Sequence, residues 1–165
     1  MTIDFLKRIG LLIIFTIAQA LILNHIHLFN CATPLLYVYF ALLLPRDHPR
    51  WASMILCFIL GIAIDTFNNT PGLAAASMTL LGFLQPYILT LFIDQQEDED
   101  FKPSIATMGW LNYIAYAAIL LLIFCIVFFS LEAFNFFNWI QWLMCIGASF
   151  LLTFILIIVI DSVRK

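Results

Sequence analysis

Gly61-Ile62-Ala63-Ile64-Asp65-Thr66-Phe67-Asn68-Asn69-Thr70-Pro71-Gly72 is the stretch on which the reading of this chain turns. A carboxylate, Asp65, ends a strongly apolar run, a compact polar turn follows, and a second apolar run begins with small residues. Steps of four back from Asp65 reach Gly61, Cys57 and Ser53, which share one face of a helix. That face is narrow and mildly polar on an otherwise bulky helix. In lipid, small residues let a neighbouring backbone approach closely, and a carboxylate is tolerated only beside a partner or water. On one reading the face is a seam for other helices, with Asp65 at its end. On the other, Asp65 simply ends the helix in interfacial water. Residues 51–65 rise roughly 22 Å as a helix, which brings Asp65 near the far edge of a hydrocarbon core of about 30 Å.

Composition sets the class. The 165 residues are 64% hydrophobic and 10% charged, and the mean hydropathy is +1.07. A soluble domain of this length would lack the polar residues to cover its surface. The chain therefore reads as an all-α integral membrane protein, a single polytopic domain over residues 1–165 with no room for a cytosolic nucleotide-binding fold. Cys31, Cys57, Cys125 and Cys145 show no C-x-x-C spacing and read as small apolar packing residues.

Apolar runs at about 9–24, 31–44, 51–65, 73–93, 105–129 and 139–160 are expected to form six transmembrane helices in one bundle. Ala18-Gln19-Ala20 formally resembles a signal-peptidase site, but the apolar run continues past it, so the first run reads as a retained span. Its Gln19 amide should then seek another helix. His25 and His27 have no third ligand in view and read as a hydrogen-bonding surface loop. Pro45-Arg46-Asp47-His48-Pro49-Arg50 is an abrupt break, after which Trp51 opens the third span at interface depth. Ala74, Ala75, Ala76, Ser77, Thr79 and Gly82 favour close helix contact in the fourth, which Gln85-Pro86 is expected to kink. All 7 lysines and arginines fall on one side of this topology. By the positive-inside rule both termini are cytoplasmic, and Asp65 lies in the outer half of the membrane.

The chemistry of catalysis is missing from the pattern. There is no H-E-x-x-H for zinc and no G-x-S-x-G nucleophile elbow. Asp94 and Asp161 belong at the cytoplasmic ends, so neither forms a dyad with outer Asp65. No catalytic residue, cofactor or metal is expected, and no nucleic-acid partner. The acidic run Glu97-Asp98-Glu99-Asp100 reads as a solvated connector, and the Phe-rich residues 124–137 as lipid-facing bulk with an aromatic belt. A transport reading stays open, because Asp65, Asn68, Asn69 and the two histidines can offer a polar solute an outer site. It lacks the inverted repeat of many transporters.

Three features together resemble the bacterial rod shape-determining protein MreD family. They are Asn24-His25-Ile26-His27 through Thr33-Pro34 to Tyr37-Val38-Tyr39-Phe40, the charged break from Pro45 to Pro49, and Gly61-x-x-x-Asp65 with Asn69-Thr70-Pro71-Gly72. The resemblance covers essentially the whole chain, and its weight lies in the combination. It implies a non-enzymatic subunit of the cell-elongation machinery that binds MreC. The MreB cytoskeleton, the RodA glycosyltransferase and its transpeptidase form the wider complex, and membrane lipid surrounds it. The family is also similar in fold to the substrate-binding subunits of energy-coupling-factor vitamin transporters, which keeps the solute-binding alternative in play. The matching segment supplies Gly61, Asp65, Pro71 and Gly72. With Ser53, Cys57, Asn68 and Asn69 from the helix face and turn, they form the candidate set for partner binding or structure.

Overall fold

A computed structural model describes residues 2–21, 34–45, 49–93, 103–133 and 139–163. These are all-helical: α1 (Thr2–Leu21), α2 (Val38–Leu42), α3 (Arg50–Asn68), α4 (Leu73–Phe92), α5 (Ile105–Met108), α6 (Trp110–Glu132) and α7 (Trp139–Val163). α3, α4, α6 and α7 are long and apolar enough to cross a membrane. The His25/His27 loop, Cys31, residues 46–48, the acidic run 97–100 and residues 134–138 lie outside the described residues.

α3 and α4 form a tight antiparallel hairpin. α3 ends where Asn69 enters the left-handed region at φ 53, a conformation that Asn tolerates better than bulkier residues. Gly72, at φ 87, begins α4. α4 continues as one helix through Pro86 to Phe92.

Two expected spans take a different form. The described part of the second, residues 34–45, is helical only over the five residues of α2. α2 rises only about 8 Å, so the described part of this run is not the regular transmembrane helix expected. Its apolarity reflects burial in protein: Val38, Ala41 and Leu42 are 0% exposed, and Tyr37 and Tyr39 1%. Tyr37 packs edge-on to Phe124 at 5.6 Å and Tyr39 edge-on to Phe15 at 5.7 Å. The fifth span breaks at Gly109, whose φ 78 and ψ 157 suit glycine alone. α5 is capped by Ser104 and Thr107 in a reciprocal capping box, and the long helix starts only at Trp110.

α6 carries much of the core, including Tyr116, Leu120 and Leu121. Phe124, Phe128 and Phe129 are also buried, so this part of the Phe-rich stretch packs inward instead of facing lipid. α7 is attached by one stripe, with Ser149, Thr153, Ile157 and Asp161 its buried residues at steps of four. Only 17% of α7 is buried, against 39–44% of the other three long helices.

Candidate functional site at the α3–α4 turn

The small face of α3 is used inside the chain. A Cβ on Gly61 would stand 2.4 Å from the Ala75 Cα and 2.7 Å from its nitrogen, so α4 backbone lies directly on that glycine. A Cβ on Gly82 would meet the Cys57 Sγ at 3.0 Å and the Ser53 carbonyl at 3.2 Å. Ser53, Cys57, Gly61 and Asp65 are all buried. The four-residue spacing did identify a seam, and α4 fills it.

Asp65 completes that seam at the turn. Its Oδ1 accepts from the Ala74 N–H at 2.9 Å and the Thr70 hydroxyl at 3.1 Å, and its Oδ2 accepts from the Ala75 N–H at 2.9 Å. Ala74 and Ala75 are the second and third residues of α4, whose first N–H groups have no partner within the helix. The residue in the N-cap position is Gly72, which has no side chain to cap them. The carboxylate therefore caps α4 from the preceding helix, with its charge at the positive end of the helix dipole. The Asp65 carbonyl also accepts from the N–H groups of Asn69 and Thr70. Asp65 is 5% exposed, so it does not end in interfacial water. Beside it, Ile62, Thr66, Asn69, Pro71 and Gly72 line an open groove of about 630 Å³. Asn69, Pro71 and Gly72 are exposed there, and Asn68 is half-buried.

A second polar centre surrounds residues 34–45. The Gln19 amide donates to the Pro34 carbonyl at 2.8 Å, and the Leu35 N–H donates to the Thr153 hydroxyl at 3.0 Å. Gln85 donates to the Leu44 carbonyl at 3.1 Å and to the Tyr116 hydroxyl at 3.0 Å. Asp161, 4% exposed, accepts from the Tyr39 hydroxyl at 2.8 Å and from the N–H of Ile105, the first residue of α5, at 2.9 Å. Irregular backbone at membrane depth needs such internal partners. The sequence marks Gln19 as seeking another helix, and its partner is instead the backbone of residues 34–45. Gln85, Thr153 and Asp161 were missed as a group; the available signal was that each is a polar side chain in or bordering an apolar run.

Among the described residues, no three His, Cys, Asp or Glu side chains stand together as metal ligands. In comparisons with protein-family models, with curated proteins and with solved structures, the chain has no match.

Proposed function

We propose that this protein is a non-enzymatic membrane scaffold of the MreD type, a subunit of the bacterial cell-elongation machinery. In this reading six segments cross the inner membrane, both termini are cytoplasmic, and MreC is the direct partner. MreB, RodA and its transpeptidase belong to the wider assembly. One observation carries the non-catalytic, scaffold side of the reading. The buried polar side chains of the two centres, Asp65, Asp161, Gln19 and Gln85, each bond to the chain's own backbone. Such groups hold a shape, and α7, with its large outward apolar surface, offers a partner span room to pack. The link to cell elongation comes from the sequence resemblance alone.

The solute-binding reading draws support from the groove at Asp65, Asn69 and Gly72. Against it, both oxygens of the Asp65 carboxylate that lines this groove already accept N–H bonds from α4. One experiment separates the readings: affinity purification of the tagged protein in mild detergent, with mass spectrometry of the proteins and small molecules recovered. Recovery of MreC and cell-wall synthases is the expected result. A stoichiometric solute or a coupling ATPase would replace the scaffold with a transport subunit.

A further inference from the structure

We propose that the Arg50 end of the α3–α4 hairpin binds an anionic phospholipid, with its phosphate on the Arg50 guanidinium and an acyl chain along Phe83 and Leu80. Arg50 is the first residue of α3 and is exposed. Its Nη1 donates to the Tyr87 hydroxyl at 2.9 Å. Its Cζ also lies 4.7 Å from the centroid of that ring, within cation–π range. The guanidinium is thus oriented by one neutral side chain while most of its five donors stay available. No carboxylate of the described residues pairs with it, and the first turn of α3 has no acidic residue. A cation at a helix N-terminus is disfavoured by the helix dipole, and an anion bound there removes that conflict.

The apolar half of the site continues from Tyr87. Leu80, Phe83 and Tyr87 lie at i, i+3 and i+7, on one face of α4. They are 40%, 41% and 43% exposed. The rings of Phe83 and Tyr87 are 5.4 Å apart, and the stripe extends about 10 Å along the helix away from Arg50. Trp51, 68% exposed, stands beside Arg50 in the chain, and tryptophan favours headgroup depth. A cation at one end, then two rings, then an aliphatic surface is the polarity order of a phospholipid. Arginine also suits phosphate through paired, forked hydrogen bonds.

The test uses the full chain in nanodiscs of equal parts phosphatidylglycerol and phosphatidylcholine. The lipid retained after extraction into mild detergent is then counted by native mass spectrometry. Phosphatidylglycerol should be retained over phosphatidylcholine, and Arg50→Gln should lower that preference about fivefold, the effect of one cation near an anionic surface. Tyr87→Phe, which keeps the ring and loses the hydroxyl, should lower it less. Both variants should unfold at the wild-type temperature in neutral detergent. Unchanged phosphatidylglycerol retention in both variants would overturn the proposal. So would full displacement of the lipid by inorganic phosphate, which would assign Arg50 to a soluble anion, or occupation of the face by a second copy of the chain.

Discussion

The α3–α4 hairpin and residues 34–45 meet one requirement by opposite means. In lipid, every backbone N–H and C=O has to find a partner within the protein. α3 and α4 do this as regular helices, which leaves only their ends to satisfy, and Asp65 satisfies the start of α4. With the backbone accounted for, Gly61 and Gly82 let the two helices touch. Residues 34–45 leave the helical ladder on either side of α2, and side chains from three other helices make up the bonds. Those bonds cross 15, 41 and 118 residues of sequence. The hairpin is a local device of shape and spacing, whereas the buried segment depends on the whole bundle.

That contrast predicts a graded series of effects, read as unfolding free energies in detergent. Gly61→Leu should be the most damaging. Even its Cβ has no space against Ala75, and overpacking of this kind costs about 3 kcal/mol. A Gly61→Leu protein as stable as wild type would break the seam. Asp65→Ala should follow at about 2 kcal/mol, since it leaves two buried N–H groups of α4 uncapped. Asp65→Asn should cost less, because its amide oxygen can still accept one of them.

Substitutions in the other region should have smaller effects. Thr153→Val keeps the shape and removes the bond to Leu35, for about 1 kcal/mol. A loss there as large as that at Gly61 would show that the buried segment governs stability. Gly147→Ala, on α7, should be neutral or gain about 0.5–1 kcal/mol. An added Cβ there meets nothing within 4 Å, and alanine favours the helix. Together, Gly61 and Gly147 separate a glycine required for contact from one that is not.

The same contrast explains what the sequence could reveal. Ser53, Cys57, Gly61 and Asp65 were readable as one face because helical periodicity is local. That α4 covers this face was not, since spacing reports a seam without naming its occupant. The irregular form of the second run was not readable because hydropathy measures distance from water. Residues 34–45 are as apolar as a lipid-facing helix, yet protein surrounds them. The break at Gly109 was hidden for a related reason: a lone glycine inside an apolar run has the same letter whether the helix passes through it or stops. Asp161 was placed correctly at a helix end. Its bonds to Tyr39 and Ile105 join residues 122 and 56 positions apart, beyond the reach of any local pattern.

In the proposed scaffold the polar groups of the bundle hold the fold, and other surfaces bind the partner. Asp65 tests it most directly, by measuring unfolding free energy and MreC recovery per folded molecule for wild type, Asp65→Asn and Asp65→Ala. Stability should fall stepwise across the three while recovery per folded molecule stays constant. Unchanged stability with lost recovery would contradict it and make Asp65 a contact residue for the partner.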